Sequence, residues 1–143
     1  RFFTVYGPWG RPDMAMYIFA EKIRRKKKLP LFNSGLMYRD FTYIDDIIMG
    51  IRSAIDKNYN FDIFNLGNNK IEDLKNVISI IEDSLGEKAI IENLGMQPGD
   101  VKKTCADIQY SSEKLEYKPL TSIDNGIPIF IKWYLKYINN EII

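Results

Sequence analysis

Apolar residues recur along this chain at two spacings, and stretches of the two kinds take turns. Residues 2–6 are rich in aromatic and β-branched side chains and stop at Gly7-Pro8, the pattern of a strand closed by a turn. Past the polar turn Arg11-Pro12-Asp13, the residues Ala15, Ile18, Phe19 and Ile23 share one helical stripe. That predicts a helix running to about Lys28, capped by Asp13. Residues 29–32 read as a short extended segment, Asn33-Ser34-Gly35 as a turn, and residues 36–44 as a second extended stretch. Asp45 is placed to cap a second helix, whose predicted buried face is Ile47, Ile48, Ile51 and Ile55. Residues 61–66 alternate like a strand and halt at Gly67-Asn68-Asn69.

The clearest helix follows. Leu74, Val77, Ile78, Ile81 and Leu85 keep the helical period, and Gly86 closes it as a C-terminal cap. Residues 89–94 predict a strand, residues 97–100 a loop, and Ser111 opens a short helix ending near Tyr117. The last helix is expected over residues 122–138, with Ile123, Ile127, Ile131, Tyr134 and Ile138 on one face. Pro128 falls inside it, where the ring removes a hydrogen bond and is expected to bend the axis. Strands alternate with helices, so the fold class is α/β, read as one compact unit over residues 1–143.

Composition excludes more than it adds. At 143 residues, 45% apolar and 27% charged, the chain can bury a core. No apolar run approaches the roughly 20 residues that span a bilayer, so no membrane partner is expected. A net charge of +1 gives no pull toward nucleic acid. The basic run Arg24-Arg25-Lys26-Lys27-Lys28 suits the negative end of the helix it closes. There is no histidine, which removes histidine-based acid–base chemistry, a Ser-His-Asp triad and most zinc sites, so no metal is expected. Cys105 is alone, is read as packing, and leaves a reducing, cytoplasmic compartment as the expectation. A chain that starts at Arg1, inside a strand pattern, is expected to be a fragment.

Four places combine turn residues with side chains that can carry chemistry: Thr4 with Arg11, Phe32, Arg39-Asp40, and residues 97–100. All fall on predicted loops or strand ends, where α/β proteins hold ligands. Arginine can clamp phosphate through two parallel hydrogen bonds, aspartate can accept from ribose hydroxyls, and an aromatic ring can stack on a base. On spacing alone a second reading stays open, with Arg39 paired to a local carboxylate and Phe32 in the core. Tyr110 and Lys114 have the tyrosine–lysine spacing of a short-chain dehydrogenase pair. They sit late in the chain with no glycine-rich loop before them, and the match is read as chance.

Longer strings are more specific. Arg1-Phe-Phe-Thr-Val-Tyr-Gly-Pro-Trp-Gly-Arg-Pro-Asp-Met-Ala15 resembles UDP-glucuronate 4-epimerases, including those encoded with bacterial capsule genes. The resemblance continues, in order, through Tyr38-Arg-Asp-Phe-Thr-Tyr-Ile-Asp-Asp46, Phe64-Asn-Leu-Gly67, Gln97-Pro-Gly-Asp-Val101 and Trp133-Tyr134. It implies the carboxyl-terminal portion of an extended short-chain dehydrogenase: the last Rossmann strands plus the small lobe that grips a UDP-sugar. The parent enzyme would hold NAD and invert C4 of the sugar through a 4-keto intermediate, for surface polysaccharide synthesis. Its glycine-rich loop and its catalytic Tyr and Lys would lie in an amino-terminal half absent here, so the chain alone is expected to be inactive.

The resemblance also implies roles. Thr4 falls where a hydroxyl meets the sugar carboxylate, and Arg11 adds positive charge there. The backbone near Met14 approaches the diphosphate, Phe32 stacks on uracil, Arg39 clamps the diphosphate, and Asp100 meets the ribose. Gln97 stands where many relatives carry arginine, a replacement common in the glucuronate branch. Other sugars of the same family, a dehydratase substrate, or a non-catalytic nucleotide-binding remnant are the alternatives. The expected partners are the UDP-sugar, the missing half, and a second copy through the 1–6 strand, whose residues Phe2, Phe3 and Tyr6 would be bared.

Overall fold

The computed structural model of the chain describes residues 1–96, 99 and 101–141. Eleven main elements alternate along it: β1 (Val5–Tyr6), α1 (Ala15–Arg24), β2 (Lys28–Phe32), β3 (Tyr38–Asp40), β4 (Thr42–Tyr43), α2 (Ile44–Lys57), β5 (Ile71–Asp73), α3 (Leu74–Leu85), β6 (Ile90–Leu94), α4 (Gln109–Leu115) and α5 (Ile123–Ile138). A single 3₁₀ turn, Asn33–Gly35, follows β2. The α/β class therefore holds. Strands pair two by two: β1 with β4 and β2 with β6 in parallel, β3 with β5 antiparallel. Isolated parallel bridges add Phe2 to Leu66 and Tyr38 to Lys103.

The larger core lies where α1, α3 and α5 close over β2. Ala20, Ile23, Leu29, Val77, Ile81 and Ile127 are fully buried there. The predicted stripes of α3 and α5 are the ones that face inward, and Gly86 caps α3 in the left-handed conformation. A smaller cluster, Ile47, Leu66, Ala106, Ile108, Leu115 and Tyr117, joins α2 to α4. No helix among the described residues is long and apolar enough to cross a membrane.

Two buried carboxylates fix how these parts meet. Asp40 is 0% exposed. Its oxygens accept from the backbone N–H groups of Asn68 (2.8 Å), Asn69 (3.0 Å) and Ala106 (2.9 Å), and from the Thr42 hydroxyl (3.2 Å). Asp46, in the first turn of α2, accepts from the backbone N–H groups of Leu120 (3.1 Å) and Thr121 (3.0 Å). Each anion replaces lost water with several donors, the condition under which a charge can be buried at all.

Several local expectations are corrected. Asp13 does not cap α1: Met14 occupies the cap without a side-chain bond, because Asp13 is taken by Arg11. The helix ends at Arg24, and Lys28 opens β2, where its Nζ pairs with Glu92 at 3.1 Å. Asp45 likewise caps nothing. The anchoring of Asp46 rotates α2 so that Asp46, Ile47 and Gly50 face inward, leaving Ile48 and Ile55 exposed. Gly50 permits the close approach, since a Cβ there would meet Leu66 Cδ1 at 2.7 Å. Residues 61–66 form no strand beyond the bridge at Leu66, with Phe61 and Ile63 exposed.

Pro128 sits exposed in α5 and the helix runs through it. Cys105 is exposed rather than packed. Tyr6 is not bared: it is 3% exposed, its hydroxyl reaches the Ser122 carbonyl at 3.5 Å, and its ring packs edge-on against Phe41 and Tyr43. Phe3 is half-buried, and only Phe2 of the three projects to solvent. The first six residues are held in turn by Leu66, through Phe3 N (3.2 Å) and Arg1 O (2.8 Å), and by Thr42, whose N–H bonds Thr4 O at 3.2 Å.

Removing the Asp40 acceptor orphans three backbone donors at once. Asp40→Ala should therefore destabilise the chain by at least about 3 kcal/mol, read from the urea unfolding midpoint. Asp40→Asn, which keeps one acceptor oxygen, should fall between. An unchanged midpoint in Asp40→Ala would remove Asp40 as the anchor of these loops.

Candidate functional site

Neighbouring residues on a strand face opposite ways, and β2 and β3 both use this at their ends. In β3, Asp40 turns to the interior while Arg39 turns to a cavity of about 440 Å³. In β2 the last residues reach the same cavity together, Leu31 from its buried side and Phe32 half-buried and outside both core clusters. Thr4 and Met14 complete the wall from the first turn of the chain, with Met37 and Leu74 as its floor. Four of the predicted residues, Thr4, Met14, Phe32 and Arg39, thus share one cavity. Arg39 Nη1 donates to the Tyr38 carbonyl at 2.9 Å.

The conformation around the cavity is unusual. Phe32 is followed by Asn33, Ser34 and Gly35, with φ of 49°, 51° and 78°. This left-handed run reverses the chain directly behind the ring. Thr4 has φ 26°. A β-branched residue is an outlier there and is held by pairing on either side of it in sequence, Phe2 with Leu66 and Val5 with Thr42.

A second cavity of about 380 Å³ adjoins the first, with Thr4 and Met14 lining both. Its other walls are Tyr6 and the turn from Gly7 through Trp9 to Arg11. Arg11 therefore lies at this second cavity and not at the first. Its guanidinium forms a two-bond pair with Asp13, the Nε–Oδ1 bond at 3.0 Å, with both side chains largely exposed. The hydrogen bond raises the pKa of Arg11 and lowers that of Asp13, so the pair stays charged. Gln97 and Asp100 lie outside the described residues.

Sequence reasoning missed Asp13, which lines the first cavity, and Trp9, which lines the second. The string Arg11-Pro12-Asp13 carried the signal, but it was spent on a helix cap. The Tyr110–Lys114 pair is a surface feature, as read. The Tyr110 hydroxyl donates to Asp62 Oδ2 at 2.8 Å, and Lys114 Nζ sits 6.0 Å from the ring centroid. The bond to Asp62 pushes the Tyr110 pKa up, the wrong direction for a proton-transferring phenol at neutral pH. Burial does the same to Tyr6, with Tyr43 adding to it. Among the described residues no group of three or more acidic or cysteine side chains could hold a metal.

Residues 1–67 match the family model described as the NAD dependent epimerase/dehydratase family. An uncharacterized protein of Methanocaldococcus jannaschii is 48% identical over 136 residues, covering 95% of this chain and 42% of that protein. Protein CapI of Staphylococcus aureus is 37% identical, covering 96% and 46%. Among solved structures, the Bacillus cereus UDP-glucuronic acid 4-epimerase in complex with UDP-glucuronic acid and NAD superposes with a TM-score of 0.89. It is 35% identical, over 96% of this chain and 44% of that one. The chain spans less than half the length of each of these relatives. By family model, sequence and structure together, this chain is similar to part of the UDP-glucuronate 4-epimerases, with the α/β architecture of the extended short-chain dehydrogenases.

Proposed function

We propose that this chain is the substrate-gripping portion of an NAD-dependent 4-epimerase acting on UDP-glucuronate, in the service of surface polysaccharide synthesis. The observation that carries the reading is the convergence of Phe32 from β2, Arg39 from β3, and Thr4 and Met14 from the segments before β1 and α1, on one cavity of about 440 Å³. That volume is within the range of about 300–1,000 Å³ common to small-molecule sites. Phe32 offers a ring face to uracil at one end. Arg39 offers a planar, permanently charged fork to the diphosphate. The sugar then extends past the shared wall of Thr4 and Met14 into the second cavity, where the Thr4 hydroxyl and Arg11 meet its carboxylate. Gln97 and Asp100, outside the described residues, are assigned to the diphosphate side and the ribose.

NAD supplies the hydride acceptor for C4 when bound, but the residues described here do not fit it. The turn after β1 is the glycine-bounded strand–helix connection at the site, and its run of amides is interrupted. Gly10 N donates to Gly7 O and Met14 N to Arg11 O, both at 3.1 Å, while Pro8 and Pro12 have no N–H. Two engaged amides and two prolines break up the continuous run of N–H groups that a pyrophosphate site presents. The reading assigns the cofactor and the proton-shuttling Tyr and Lys to sequence outside this chain, and the chain's own work is binding and orientation.

Three measurements test this. Calorimetry should show UDP binding that falls about tenfold or more in Arg39→Ala, since a charge-assisted contact is worth about 1.5–3 kcal/mol. Equal affinity would make Arg39 structural. Incubation of the chain alone with UDP-glucuronate and NAD should give no UDP-galacturonate, and measurable turnover would return Tyr110 and Lys114 to consideration. A carboxylate costs several kcal/mol to desolvate unpaired. A full-length enzyme containing this chain should therefore use UDP-glucuronate at least about tenfold better than UDP-glucose in kcat/KM, a ratio that Arg11→Ala lowers. Equal use of both sugars would end the uronic-acid reading.

A further inference from the structure

The Trp9 side chain is 69% exposed, yet it is not idle. Its ring lies 5.6 Å from Trp133 and 5.8 Å from Tyr137, both on α5. Trp133 stacks on Tyr137 at 5.1 Å and reaches the fully buried Phe130 at 5.9 Å. The platform under Trp9 is therefore continuous with the core. The backbone of Trp9 has φ 62°, a left-handed conformation that a bulky side chain rarely adopts. Such a conformation persists where the surroundings over-determine it.

What over-determines it is the ring. Among the described residues, the hydrogen bonds of the 8–13 segment close within the turn itself. They are Gly10 N to Gly7 O, Met14 N to Arg11 O, and the Arg11–Asp13 pair. At the turn's start, Gly7 with φ 138° passes so close to α2 that a Cβ would meet Ile44 Cγ2 at 2.5 Å. Beyond that pinned glycine, the side chain joining the turn to α5 is Trp9. The far side of the same turn is the wall of the second cavity, with Arg11 at its edge.

We infer that Trp9 is a positioning residue: docked on Trp133 and Tyr137, it holds the 7–13 turn and thereby sets Arg11 at the sugar-side cavity. The claim that this cavity takes the sugar rests on the proposed function; the hold on the turn does not. Trp9 also borders the sugar-side cavity, and Tyr137→Ala, which leaves the Trp9 ring in place, separates its hold on the turn from direct contact. Trp9 acts through the backbone it fixes, which makes α5 part of sugar selection although no α5 residue lines either cavity.

Two arms of one experiment test it. Amide hydrogen exchange on the chain reads the hold on the turn, and calorimetry with UDP and with UDP-glucuronate reads its consequence. In Trp9→Ala, exchange at the Gly10 and Met14 amides should rise at least about tenfold with the urea midpoint little changed, because an exposed turn opens locally. Tyr137→Ala, which removes the platform from the other side, should reproduce the faster exchange. Affinity for UDP-glucuronate should drop about tenfold while affinity for UDP stays within about twofold, and Trp9→Phe should restore both readouts by keeping a ring on the platform. Unchanged exchange in both alanine variants overturns the inference. So does faster exchange with equal losses for both ligands. Parent protein that binds UDP-glucuronate no better than UDP overturns the substrate reading instead, and the exchange arm still decides whether Trp9 holds the turn.

Discussion

Burying the Asp40 carboxylate is tolerable only because three stretches of chain come to it. The loop at residues 68–69 brings two N–H groups, Ala106 brings another, and Thr42 brings its hydroxyl. These donors are 28, 29 and 66 positions away along the sequence for the backbone groups, so one side chain closes contacts that no local element could make. Gly67 must be small for this to happen, since its Cβ would run into Ala106 and sit 3.2 Å from Asp40 Oδ2. Thr42 carries the constraint further: its hydroxyl is held by Asp40, and its N–H holds the carbonyl of Thr4. The buried anion and the strained residue at the cavity wall are thus two bonds apart.

This arrangement explains why Arg39 is reliable as a cavity residue despite its long side chain. The alternation of β3 forces it to the face opposite Asp40, and Asp40 cannot rotate without abandoning its donors. Pairing of β3 with β5 sets the height of the strand, with Arg39 opposite Glu72. On the other wall, five consecutive parallel partners between β2 and β6 do the same for Phe32, which lies opposite Leu94 at the end of the ladder. A rigid frame carries the chemistry on its edges, the usual division of labour in α/β folds.

How much of this was legible depended on whether burial or hydrogen bonding decided the local structure. Helices α3 and α5 and strand β2 were readable because their apolar spacing is what buries them, whereas β6 was readable as a run of strand-formers that stays largely exposed. In α2 the spacing misled. Four isoleucines suggested one face, but the Asp46 anchor at residues 120–121 and the bare Gly50 surface turned the helix, and Ile48 and Ile55 were left outside. The alternation at residues 61–66 misled for a related reason: apart from Leu66, no described strand pairs with them. Asp13 had the right residue type for a cap, and a nearer arginine competed for it. For the candidate site, the residues were found by resemblance, while their division between two cavities needed coordinates. The resemblance gives Arg11 and Arg39 different roles, and the coordinates put them at two adjoining cavities.

That division has a physical consequence. Thr4 and Met14 line both cavities, so the wall between the two cavities is made by these two residues and their neighbours. A soft wall would let a ligand fill one cavity without regard to the other. This wall is stiff. Thr4 sits in a sparsely populated conformation, tied at its carbonyl to Thr42, and the chain leaves it through Gly7 packed against Ile44. A ligand gripped at Phe32 and Arg39 can therefore enter the second cavity at one height only, set by strands that the ligand does not touch. Because the frame that fixes that height ends in the bond network of Asp40, a change in the buried carboxylate should be felt at the wall shared by the two cavities before it is felt at Phe32. The path through Thr42 reaches Thr4, which borders both cavities, while Phe32 is held independently by β6.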